Sequence, residues 1–185
     1  MSTDAKSRIV EAAVKLFTSR PYARVSVDDV AREAGVSKGA VFHYFKSKAE
    51  LAEEALKEYA KHRAKEALRE LDEAGSVGRW VEALATSLVS AGTEERERLL
   101  YLMEAYAELR VEGRGAKLAE LARGLVEALA ERLEAMGVAE AKVKAELVAA
   151  AIDGLHLHAS LNPALLSGDE ARRLVELLRR LVEAP

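Results

Sequence analysis

Apolar side chains recur every three or four residues along nearly all of this 185-residue chain, and nowhere do β-branched residues alternate with polar ones as a half-buried strand requires. With only three prolines to interrupt the pattern, the sequence specifies an all-α fold. Glycines and small hydroxyl residues divide that pattern into nine helices. Ile9, Ala12, Ala13, Leu16 and Phe17 stripe a first helix over roughly Asp4 to Ser19, closed near Pro21. Ser26 opens a second, with Asp29 as its capping-box partner and Val25 placed to staple onto Val30. Gly35 ends this helix by taking a positive φ, and Ser37 at once caps a short third one.

Beyond that turn the helices lengthen. Ser47 and Glu50 open a fourth, Lys48 to Ala74, which stops at Gly75. Ser76 begins a fifth marked by Trp80, Val81, Leu84 and Leu88, and Thr93 begins a sixth that Gly113 and Gly115 break. Leu118, Leu121, Leu125, Leu129 and Leu133 stripe a seventh helix ending at Gly137. Val143, Leu147, Ile152, Leu155 and Ala159 run along an eighth that Pro163 ends. Ser167 with Glu170 caps a ninth, whose Leu174, Leu177, Leu178, Leu181 and Val182 form a wide apolar face. Gly113-Arg114-Gly115 has neither a preceding strand nor a following Gly-Lys-Ser/Thr, so it reads as a helix-helix loop rather than a phosphate cradle.

Composition narrows the setting. No apolar run approaches the roughly 20 residues that cross a bilayer, and the opening MSTDAKSR lacks an apolar signal segment, so a soluble, cytoplasmic protein with no membrane partner is expected. Cysteine is absent, which removes disulfides and thiolate metal sites. His156 and His158, two residues apart on a helix, point to nearly opposite sides and cannot grip one metal; no metal or cofactor is expected. The net charge of -3 conceals an asymmetry: residues 1–50 carry +3 and the remainder -6, a basic head on an acidic body. Gln is absent and Asn occurs only at 162, a composition like that of a thermophile, although a genome biased toward Ala, Leu, Glu and Arg produces the same numbers.

Two short capped helices meeting at one tight turn between Ser26 and Phe45 form a helix-turn-helix, in which one helix enters a DNA groove while the other crosses the backbone. Helical spacing turns Val41 and Phe45 inward and places Lys38, Gly39, Phe42 and His43 on one outward face. Lys38 suits guanine O6 or N7 or a phosphate, Phe42 a thymine methyl, and His43 a donor or ring contact, while Gly39 permits close backbone approach. The free amides at the helix starts of Ser26 and Ser37 suit phosphate oxygens.

The segments RIVEAAVKLF (Arg8 to Phe17), VSVDDVAREAGVS (Val25 to Ser37) and AGVSKGAVFHYF followed by KSKAEL (Ala34 to Leu51) resemble the TetR family of transcriptional regulators. The resemblance covers the first quarter to third of the chain. It implies a DNA-binding head, residues 1–47, joined to a helical body, residues 48–185, that binds a small molecule and dimerises. It also implies that Ser37, Tyr44 and Lys48 lie near the DNA backbone. Phe42 stands where the family usually has Tyr, Ala40 where Thr is common, and Val27 lacks a hydroxyl found there in some members, so phosphate-facing hydroxyls are missing.

The expected function is a DNA-binding regulator, a repressor on a palindromic operator, released by a small and largely apolar effector. Trp80, Tyr101, Leu102, Met103, Tyr106 and His156 are the candidate effector-pocket residues, on the helices that wall the pocket in the family. Helices eight and nine are the expected homodimer interface, paired as a four-helix bundle. Two alternatives compete: an effector-independent DNA-binding or architectural protein, which would keep the head and fill the body, and a helical enzyme with an enclosed pocket. No nucleophile, base and orienter stand at recognisable spacing, so no enzyme is expected.

Overall fold

The computed structural model describes residues 4–90, 93–161 and 168–183; side-chain surroundings are described for these except at 85, 87–90, 93–96, 156, 159 and 168–172. Among the described residues the chain forms nine α-helices and no strand: α1 (Ala5–Phe17), α2 (Val27–Ala34), α3 (Lys38–Tyr44), α4 (Lys48–Ala74), α5 (Val77–Ser90), α6 (Thr93–Val111), α7 (Ala116–Ala135), α8 (Ala141–Leu161) and α9 (Gly168–Glu183). A 3-10 turn at Tyr22–Arg24 joins α1 to α2. The expected stop at Pro163 and cap at Ser167 lie outside the described residues.

Local chemistry sets the boundaries. At the end of α1 the Thr18 hydroxyl joins its own amide on the Val14 carbonyl (2.8 Å), and the Ser19 hydroxyl donates to the Lys15 carbonyl (2.7 Å), which a further turn would have used. Gly35 takes φ 65°, and the Gly35 and Val36 amides turn back to the Arg32 and Ala31 carbonyls at 3.3 and 3.0 Å, a paired closure that needs a left-handed residue. At the start of α4 the capping exchange is offset. Ser47 Oγ accepts from the Glu50 amide (3.1 Å), while Glu50 Oε2 accepts from the amide of Lys46, one residue earlier than a capping box requires.

Packing divides the chain into two compact units: Met1–His62 with Glu97–Leu121, and Arg63–Arg96 with Ala122–Pro185. The first is built on Ile9, Ala13, Leu16 and Phe17 of α1, Val25 and Val30 around α2, Val41 and Phe45 at α3, and Leu51, Ala52 and Ala55 of α4, joined by Ala105 and Leu109 of α6. The three-helix head thus shares one core with the beginning of α4 and part of α6. Full burial of each large side chain in it is worth about 1.5–3 kcal/mol. The second unit is built on Leu71, Val77, Trp80, Val81, Leu129, Leu133, Ala145, Val148 and Val182.

Within that second unit, α8 turns differently from the stripe expected of it. Ala145 and Val148 are buried, whereas Val143 and Leu147 are exposed. The helix carries apolar residues over much more than one face, so periodicity alone does not choose its inner side. The apolar face of α9 also divides: Val182 is buried and Leu178 packs against the core, while Leu174, Leu177 and Leu181 face outward.

Candidate nucleic-acid interface

The α2–α3 pair is held from both ends. Ser26 Oγ accepts from the Asp29 amide (3.1 Å) and Asp29 Oδ2 accepts from the Ser26 amide (3.0 Å), the reciprocal capping box expected there. The Ser26 hydroxyl and then its amide, both donating to Asp29 Oδ2, hold the Asp29 carboxyl below its ordinary range. Ser37 Oγ accepts from the Ala40 amide at 3.1 Å and so starts α3. From beneath, Val41 and Phe45 are 1% and 4% exposed. The opposite face carries Lys38, Gly39, Phe42 and His43, all exposed, with Phe42 presenting 44% of its surface to solvent although it is a large hydrophobe. His43 meets Tyr44 edge to face, ring centroids 5.0 Å apart, which braces the end of the face.

Two cations assigned by the sequence have partners that the sequence did not reveal. Lys38 Nζ lies 2.7 Å from Oδ2 of Asp28 on α2, ten residues earlier. Lys48 is half-buried: its ammonium donates to the Tyr22 carbonyl at 2.5 Å and sits 3.9 Å above the Tyr22 ring, which itself stacks on Phe17. Burial lowers the Lys48 pKa, partly opposed by Glu104, Glu108 and Glu112 of α6. Lys48 therefore ties the start of α4 to the turn after α1. The acid at Asp28, beside the cap acid Asp29 and ahead of a basic helix, was the only sequence signal for the first of these pairs.

The effector-pocket candidates are not gathered in one unit. Tyr101, Leu102, Met103 and Tyr106 belong to the first, where Leu102 and Tyr106 pack on the head's core and Met103 is exposed. Trp80 and His156 belong to the second; Trp80 is in its core, and the His156 side chain lies outside the described residues. The split follows from α6 placing its Leu102, Ala105, Tyr106, Leu109 face on the head, a choice made by long-range packing. Two open clefts, one between α1 and α4 and one between α7 and α8, contain none of the six. Trp80 Nε1 is buried with no hydrogen-bond partner among the described residues. Among them, too, no group of three or more His, Asp or Glu is placed to hold a metal, and no helix is long and apolar enough to cross a membrane.

Comparison with known proteins decides the family. The model of bacterial regulatory proteins of the tetR family matches residues 9–55, and that of the tetracyclin repressor-like C-terminal domain matches residues 75–184. The chain belongs to the TetR family. TtgR, an HTH-type transcriptional regulator of Pseudomonas putida, is 30% identical over 165 residues, 82% of this chain and 78% of TtgR. The HTH-type regulator BetI of Agrobacterium fabrum is 28% identical over 180 residues, 92% of this chain and 84% of BetI. A crystal structure of a transcriptional regulator from Rhodococcus sp. is similar with TM-score 0.70 and 27% identity, covering 97% of this chain and 96% of that one. This TetR-family chain is a helix-turn-helix, DNA-binding transcriptional regulator, and the second family match extends the membership through the body, where the sequence carries no motif.

Proposed function

We propose that this TetR-family regulator is a repressor that binds a palindromic double-stranded operator as a homodimer and acts in the cytoplasm. The observation that carries the reading is the exposed Lys38, Gly39, Phe42, His43 face of a helix seated on buried Val41 and Phe45. That face enters the major groove, with Ser26, Ser37 and Tyr44 toward the phosphates. Lys48 acts on the DNA backbone through the position of Tyr22 and the start of α4 as well as through its charge. In this reading residues 1–47 are the DNA-binding domain and residues 48–185 the ligand-binding and dimerisation domain.

The dimer forms through α8 and α9. Val143, Leu147 and Leu161 on α8 and Leu174, Leu177 and Leu181 on α9 are exposed large hydrophobes, the surface a four-helix bundle with a second copy would cover. A small, largely apolar effector binds the body. Trp80 supports this part: its indole N–H, buried without a partner among the described residues, loses about 1–3 kcal/mol that an acceptor on a ligand would restore. An effector that prefers a dimer with misplaced heads lowers operator affinity by the same factor by which DNA lowers its own.

Selection of bound fragments from random duplex DNA at moderate salt tests the reading. A palindrome should emerge, its half-sites about one helical turn of 34–36 Å, or a small multiple, apart. Enrichment of no palindrome refutes it.

A further inference from the structure

Asp28 and Asp29 adjoin in the first turn of α2 but have different partners. Asp29 serves its own helix, taking the amide and hydroxyl of Ser26 and the guanidinium of Arg32. Asp28 has no part in that cap. Its carboxylate crosses the turn to the Lys38 ammonium, 2.7 Å away, and the two side chains are 62% and 54% exposed.

An acid in this place is contrary to simple adhesion to DNA. A carboxylate in the first turn of α2 repels phosphate and offsets the charge of Lys38, the cation at the start of the neighbouring helix. Exposed ion pairs are weak, about 0–1 kcal/mol, so this one opens whenever a better arrangement is offered. A phosphate oxygen is not one: it satisfies the ammonium but strands Asp28 against further negative charge. A G·C pair is. Guanine O6 and N7 accept from the ammonium without bearing a formal charge, and the cytosine N4 amino group donates to a carboxylate.

We propose that Asp28 is a specificity-determining residue of operator reading, which through its pair with Lys38 withholds the lysine from phosphates and releases it at a G·C base pair. The device lowers affinity for arbitrary DNA and thereby raises discrimination, since specificity is a difference between two affinities. It rests on the assignment of α3 as the reading helix.

The test uses the full chain in four forms, wild type, Asp28→Asn, Lys38→Ala and the double variant. Fragment selection and binding to the selected and to a random-sequence duplex are measured between about 50 and 200 mM salt. Asp28→Asn should bind the random duplex more tightly and steepen the log-log salt slope by about 0.9, the value of one added phosphate contact. It should also lose the G·C preference at one position of each half-site. In the Lys38→Ala background, where only the carboxylate's own contact with cytosine N4 is left to lose, the same substitution should change base preference less than it does with Lys38 present, and should leave the salt slope unchanged. Asp28→Ser, checked like the others by thermal melting, supplies a second neutral side chain should the Asn variant fold poorly. Preference and slope that stay as in wild type, or that change equally with and without Lys38, overturn the role of Asp28 alone. A wild type that enriches no palindrome overturns the reading helix and this proposal together.

Discussion

Replacing Arg114 by Ala should destabilise the protein more than any loss of contact area explains, because it strands a carboxylate. Arg114, in the loop between α6 and α7, places Nη1 2.7 Å from Oε2 of Glu53 on α4, and the two side chains are 34% and 12% exposed. Losing one partner of a fully buried pair costs about 3–5 kcal/mol, whereas exposed pairs contribute about 0–1. With the arginine one-third in solvent the cost falls between these limits, about 1–2.5 kcal/mol. Glu53→Gln removes the buried charge and leaves an arginine that can turn to water, so it should cost about 1 kcal/mol or less. The double variant should then be more stable than Arg114→Ala alone, a coupling of about 1 kcal/mol between residues in contact. Urea unfolding followed by far-UV circular dichroism at one fixed chain concentration measures all four, with equal m-values licensing the comparison. An Arg114→Ala variant more stable than Glu53→Gln, or strictly additive costs, would refute the stranded-charge argument.

Other consequences are as direct. Gly35→Ala meets no steric obstacle, its added Cβ lying 3.8 Å from the nearest atom of Arg8, but φ 65° should cost it about 1–2 kcal/mol in the same unfolding experiment; a variant as stable as wild type contradicts the left-handed cap. Leu177→Glu with Leu181→Glu should give a folded monomer in sedimentation equilibrium, and an intact dimer would place the interface elsewhere. Arg179 and Arg180 hold the Glu176 carboxyl at about 2, below its ordinary 4.5, so its contribution is complete above pH 4.5 and is lost as pH falls through about 2. Across that interval Glu176→Gln should lose less stability than wild type; identical pH profiles would sink the assignment. Trp80 is the chain's one tryptophan, so its indole N–H gives a single NMR resonance, which fluorenone, with a carbonyl acceptor, should move downfield while fluorene does not. Equal responses, or none, would remove Trp80 from the effector site.

Much of the head was legible in the chain because its determinants are local. The Ser26–Asp29 exchange, the Gly35 turn, the Ser37 cap and the inward Val41 and Phe45 all involve residues at most a few positions apart, whose geometry follows from helical spacing and hydrogen-bond reach. The exposed face of Lys38, Gly39, Phe42 and His43 follows from the same spacing. The body was less legible. Several of its helix breaks could be read from Gly75, Gly113, Gly115 and Gly137, but α8 offers apolar residues on more than one side, and only the packing of Ala145 and Val148 into the core turned Val143 and Leu147 outward.

The sequence by itself determined an all-α chain, the breaks between its helices, and a capped helix-turn-helix with Lys38, Gly39, Phe42 and His43 on its outer face. Only the tertiary structure decided which distant polar groups meet: Asp28 with Lys38, Lys48 with the Tyr22 carbonyl, and Glu53 with Arg114. It also decided that Tyr106 packs on the head's core while Trp80 is buried in the other unit. The physical reason is separation along the chain. Caps and stripes are set by neighbours within a turn or two, whereas these pairings depend on how whole helices pack, which no local rule specifies.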